Sequence, residues 1–140
     1  MAFWLLKTEP DVYSYADLCR DGQTVWDGVN NNLALKHIRT MQPQDRALIY
    51  HTGDERRAMG IATVVSLPYA DPKLGDSKRA VVDLVPFQAL VRPVSLALMK
   101  QDSLLTGTEA FPLFRIARLS VVPVPDACWQ RIIELSSEAC

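Results

Sequence analysis

The apolar runs of this chain are all short, and each ends in a polar or turn-forming cluster. Phe3-Trp4-Leu5-Leu6 gives way to Lys7-Thr8-Glu9-Pro10, Thr24-Val25-Trp26 to Asp27-Gly28, and Ala47-Leu48-Ile49-Tyr50 to His51-Thr52. Such runs read as brief strands, and brief helical patterns lie between them. A doubly wound sheet needs a regular alternation of strand and long helix, which is missing here. A small, mainly antiparallel barrel or strongly bent sheet with peripheral helices fits, giving a mixed α+β fold in one domain over residues 1–140. An apolar strand whose polar residues gather at one end delivers them to a rim or pocket, because a buried polar group without a partner is destabilising. An indole beside several fixed donors and acceptors suits a flat heteroaromatic ligand such as a nucleobase.

Local signals place the other elements. Ser14 and Asp17 form a variant of the capping box, opening a helix near 14–20 that Asp21-Gly22 ends. Asn31 or Asn32 caps a helix over 31–41, with Ala34, Leu35, Ile38 and Met41 as its apolar stripe. Gly60 to Val65 and Ala80 to Val85 are further strands, separated by the longest loop, 66–79. Pro86 implies an edge or bulge before Phe87 to Val91. Ser95 caps a short helix over Leu96 to Lys100. A loop through Pro112 precedes the last strand, Leu119 to Val122, and a helix over 126–136 buries Trp129, Ile132, Ile133 and Ser136.

Charge narrows the partners. The chain carries 15 basic and 16 acidic residues, for a net charge of −1. A protein that grips duplex DNA by its backbone shows a basic excess, so recognition by a pocket suits this chain better than a long basic track. The distribution is uneven: residues 1–30 have a net charge of −3 and residues 31–59 of +2. Cys19, Cys128 and Cys140 lack CxxC spacing and read as free thiols of a reducing compartment. No apolar stretch approaches the roughly 20 residues of a membrane span, and Ala2 to Leu6 is too short for a signal-peptide core. The expected setting is intracellular: cytoplasmic, or nuclear in a eukaryote. Glycine-rich phosphate loops, nucleophile elbows and zinc spacings are all missing, so no cofactor or metal is expected.

The motifs Trp4-Leu5-Leu6-Lys7-Thr8-Glu9-Pro10, Trp26-Asp27-Gly28-Val29, Tyr50-His51-Thr52, Gly60-Ile61-Ala62, Arg92-Pro93-Val94 and Arg118-Leu119-Ser120-Val121 run in order almost end to end. With Asn31, Ala34 and Met41 they resemble the EVE-domain family of the PUA-like superfamily. The resemblance implies a PUA-like bent β-barrel flanked by helices. It also implies a non-enzymatic pocket that reads a modified base, of the 5-methylcytosine kind, flipped out of DNA or RNA. Two positions depart from the family pattern. Asn30 stands where an arginine is usual, which removes a phosphate or base contact, and Ile116 replaces a glutamine near the pocket.

Each candidate residue has a structural alternative. Trp26 is either core or the stacking platform that the family motif implies. Trp4 and Trp129 read as core. Asn31 is a helix cap that can also contact a ligand, and Lys7 and Thr8 either finish a strand or meet a ligand's charge and polar edge. Tyr50 and His51 complete the pocket wall. His51, three residues before Asp54, is also the starting point for the competing hydrolase reading, and a small-nucleoside sensor is the other competitor. Arg118 and Ser120, two apart on an expected strand, share a face. Lys36, Arg39, Arg56 and Arg57 are solvated charges or phosphate contacts.

Overall fold

The computed structural model describes residues 1–138; Cys140, one of the three expected thiols, lies outside them. Among the described residues seven strands form the framework: β1 (Phe3–Thr8), β2 (Thr24–Trp26), β3 (Arg46–His51), β4 (Arg57–Val64), β5 (Tyr69–Asp71), β6 (Asp76–Ser95) and β7 (Val121–Val124). The helices are α1 (Tyr15–Asp21), α2 (Asn32–Arg39), α3 (Leu96–Lys100), α4 (Ser103–Gly107) and α5 (Asp126–Ser137). The sheet runs β2-β6-β4-β3-β1-β7, with β5 hairpinned on β6, and curls into a half-barrel. This is the mixed α+β, bent-sheet architecture expected.

The caps act as the sequence suggests. Asp17 N–H donates to Ser14 Oγ at 3.0 Å and Ser14 N–H to Asp17 Oδ2 at 2.9 Å, a complete reciprocal box. Gly22 ends α1 at φ 77°, a left-handed conformation that a side chain would strain. Asn31 Oδ1 accepts from Ala34 N–H at 3.0 Å, and α2 buries Ala34, Leu35 and Ile38. Ser136 on α5 ties itself to β6, donating to the Arg92 carbonyl at 3.0 Å and accepting from its N–H at 3.2 Å.

Three local expectations are corrected. β1 pairs with β3 in parallel, so the sheet is not wholly antiparallel. The intervening α1, β2 and α2 form the crossover that a parallel pair requires. Part of the expected 66–79 loop is the β5–β6 hairpin. The stretch before Pro112 holds α4, capped by Asp102. At Pro86 the expected bulge is present: Pro86 faces Ala62 where the β4–β6 register shifts, so the bulge absorbs the missing N–H.

Both faces of the sheet's centre are covered. Leu5, Leu6, Leu48 and Ile49 are essentially inaccessible, which is why these strands read as continuous apolar runs rather than alternating ones. Trp4 and Trp129 are core as expected. Trp4 Nε1 donates to the buried Asp45 at 3.1 Å, and Trp129 stacks on Phe3 with centroids 4.3 Å apart.

Candidate functional site

The parallel pair decides the layout of the site. Its register sets Lys7 beside Tyr50 and Thr8 beside His51, so two motifs distant in sequence end at the same edge of the sheet. Paired residues share a face and successive ones alternate. Lys7 and Tyr50 therefore belong to one face, Thr8 and His51 to the other.

Where the two ends of the sheet approach each other, a cleft of about 340 Å³ opens. Lys7, Thr8 and Ser120 border it, together with Tyr13, Trp26 and Gly28. The Lys7 backbone N–H donates to the Ser120 carbonyl at 2.9 Å, extending the β1–β7 ladder to the cleft's edge. Thr8 Oγ1 donates to the Tyr13 carbonyl at 2.7 Å, which leaves its lone pairs to accept. The Ser120 hydroxyl has no hydrogen-bond partner among the described residues. Gly28 sits at φ 79°, turning the chain sharply behind Trp26. Trp26 itself is only 7% exposed and belongs to the core cluster, with the Tyr13 ring T-shaped against it at 6.3 Å.

A second cleft, of about 250 Å³, lies on the Tyr50 side of Lys7. Tyr50, Leu96 and Phe114 give it an apolar lining, and Lys7, Arg56 and Lys100 supply three cations. The Lys7 ammonium donates to the Ala117 carbonyl at 2.8 Å and stands 6.0 Å from the Tyr50 ring centroid. Burial pulls its pKa below the ordinary 10.5. A cation in such surroundings is weakly screened and attracts an incoming anion strongly.

His51 has a structural task. It is 4% exposed, and its Nε2 accepts the Tyr15 backbone N–H at 3.0 Å. The ring proton is thereby assigned to Nδ1, which faces Glu55 Oε1 at 3.0 Å. The carboxylate beside it is thus Glu55 and not the expected Asp54, because the turn after β3 carries residue 55 back onto the ring. His51, with Arg57 behind it, holds the Glu55 carboxyl below its usual pKa. With one nitrogen filled by a backbone donor and the other by Glu55, the imidazole has no free face for general-base work. His51→Ala strands the Tyr15 N–H and is expected to lower stability by about 1–3 kcal/mol. Urea unfolding measures it, and an unchanged midpoint would show the bond to be dispensable.

The other candidates separate. Asn31 is exposed and occupied as the cap of α2, outside the cleft lined by Trp26. Arg118 is exposed in a turn, where Leu119 N–H bonds the Ile116 carbonyl at 3.0 Å. The strand begins only at Val121, so the expected shared face of Arg118 and Ser120 does not arise. Lys36 and Arg39 are exposed on α2, and Arg39 is bonded to the Lys78 carbonyl at 2.8 Å. Arg57 leans on Glu55 at 3.4 Å. Of the four expected phosphate contacts, Arg56 alone borders either of these clefts. Sequence reasoning missed Tyr13, Lys100 and Phe114; no local pattern marks them, since tertiary pairing brings them to Lys7.

Known proteins of this shape are similar along nearly the whole chain. Thymocyte nuclear protein 1 of Mus musculus is 29% identical, covering 95% of this chain and 73% of its own length. The NMR structure of Rpa0253 from Rhodopseudomonas palustris is 32% identical, with a TM-score of 0.90 over 99% of this chain and 97% of that one. The crystal structure of human THYN1 protein in complex with 5-methylcytosine containing DNA is 26% identical, with a TM-score of 0.90 over 100% of both chains. The profile of the EVE domain matches residues 2–135, and this chain belongs to the EVE domain family.

Proposed function

We propose that this protein is a non-enzymatic reader that accepts a modified nucleobase, of the 5-methylcytosine kind, flipped from DNA or RNA into the cleft at the seam of the half-barrel. The observation that carries the reading is the gathering of Lys7, Thr8, Trp26 and Ser120 around that one cleft. Membership of the EVE family and the DNA complex of the human relative support it. The open Ser120 hydroxyl and the accepting Thr8 oxygen suit the polar edge of a base, and Lys7 suits its carbonyl or phosphate. Trp26, largely covered, serves as the apolar wall, and a fuller stack needs Tyr13 to swing aside. A flipped base is most easily taken from a weakened or single-stranded site.

The test is a titration of oligonucleotides with and without 5-methylcytosine at several salt concentrations. With a net charge of −1 the protein offers few phosphate contacts. About two to four contacts give a logarithmic salt slope of roughly −2 to −4 on duplex DNA, together with a clear preference for the modified strand. Ser120→Ala removes a hydroxyl that bonds nothing among the described residues. It is expected to leave the unfolding midpoint in place and weaken modified-strand binding about five-fold, near 1 kcal/mol. A steep slope without preference would assign binding to a basic surface instead. Binding of the free nucleoside alone would mark a small-ligand sensor.

A further inference from the structure

We infer that the second cleft is a subsite for the nucleotide next to the flipped base, with its phosphate held by Lys7, Arg56 and Lys100 and its base laid against Phe114 and Leu96. This rests on the base-reading role of the first cleft and extends it: the preferred ligand is a short strand, not a lone base. The two clefts adjoin at Lys7, which lines both. Their chemistry divides as a nucleotide step does. Among the described residues, Lys7 is the one cation lining the seam cleft, which also carries the Asp27 carboxylate, whereas the second cleft has three cations and no acid. A phosphodiester following a base out of the first cleft meets its counter-charge on the far side of Lys7.

The second cleft is also built to hold its shape. Arg56 adopts φ 45°, a conformation rare for a side-chain-bearing residue. Its carbonyl is fixed by the Leu96 N–H at 2.8 Å, which ties the mouth of the cleft to the start of α3. Lys100 closes the same helix. Phe114 is half-buried and braced T-shaped by Phe111 at 5.9 Å, a rigid aromatic with part of its surface still open. A cationic groove beside an aromatic is the usual means of holding single strands without reading their sequence.

The experiment compares 5-methyl-2′-deoxycytidine with a single-stranded trinucleotide carrying 5-methylcytosine at its centre, on wild-type protein and on the double variant Arg56→Gln/Lys100→Gln. Both replaced side chains are exposed, so the fold should survive, and a melting curve checks this. Wild type should bind the trinucleotide at least ten-fold more tightly than the nucleoside. The double variant should lose most of that gain, lower the salt slope by about 0.7, the share of one phosphate on a single strand, and bind the nucleoside as before. Phe114→Leu should weaken the trinucleotide about five-fold with no change in slope. If the nucleoside binds and the trinucleotide gains nothing, the subsite is wrong and the base pocket stands. If neither binds, the base pocket fails and the subsite falls with it.

Discussion

Replacing Asp45 with alanine will destabilise the protein by about 3 kcal/mol, since a buried donor left without a partner, here the Trp4 indole, costs about 1–3 kcal/mol and two further bonds to a charged acceptor are lost with it. The carboxylate is 2% exposed and accepts three N–H groups: Ala2 backbone at 2.9 Å, Trp4 Nε1 at 3.1 Å and Gln42 backbone at 3.0 Å. For a chain of this length the change lowers the melting temperature by about 10 °C. The damage should concentrate where Asp45 clamps the beginnings of β1 and β3, so amide exchange at Phe3 to Leu6 should accelerate before exchange in β4 and β6. Asp45→Asn keeps one acceptor oxygen but turns an NH₂ toward donors, and should fall between wild type and alanine. Equal stability of Asp45→Ala and wild type would show that water replaces all three bonds.

Gly60→Ala is the second large effect. A Cβ at this position would lie 2.3–2.7 Å from three atoms of the Tyr15 ring. The ring cannot simply tip away. Its hydroxyl donates to the Ile61 carbonyl at 2.9 Å, and its backbone N–H is held by His51. Burial, with Cys19 nearby, pushes the phenol pKa up to about 12, so the hydroxyl stays a donor across the ordinary pH range. Forcing a methyl into this contact should cost about 1–3 kcal/mol or somewhat more. Shortening the ring relieves it: Gly60→Ala with Tyr15→Leu should be more stable than the sum of the two single losses predicts. Strict additivity in chemical denaturation would mean that the ring and residue 60 do not press on each other.

Much of this was legible in the sequence, for reasons that differ between elements. Ser14, Asn31 and Ser95 each cap the helix that their local pattern announces, because a cap and an apolar stripe act within a few residues of each other. The strands around Leu5, Leu48 and Val82 were visible as short apolar runs. Register and strand direction were not. Nothing within β1 or β3 says that they run parallel, and that one fact puts Lys7 against Tyr50 and sends Thr8 and His51 to the other face. Trp26, Thr8, Lys7 and Ser120 could be named from their motifs. The partition of the candidates between two clefts depends on pairing across the chain, and so does the exclusion of Asn31 and Arg118 from the seam. His51 and Asp54 looked like a pair by spacing alone, but the turn geometry chose Glu55.

The place of β1 between two strands has a consequence for how the molecule is made. Phe3 pairs on one side with Arg46 and on the other with Val124. During synthesis the first strand therefore leaves the ribosome long before its second neighbour exists, and it waits with an open edge until nearly the whole domain has emerged. Contacts of such sequence separation are closed late and slowly, and an unpaired apolar edge is where nascent chains associate wrongly. Nascent fragments ending before Val121 should accordingly be captured by chaperones or aggregate, even though most of the sheet is already present in them.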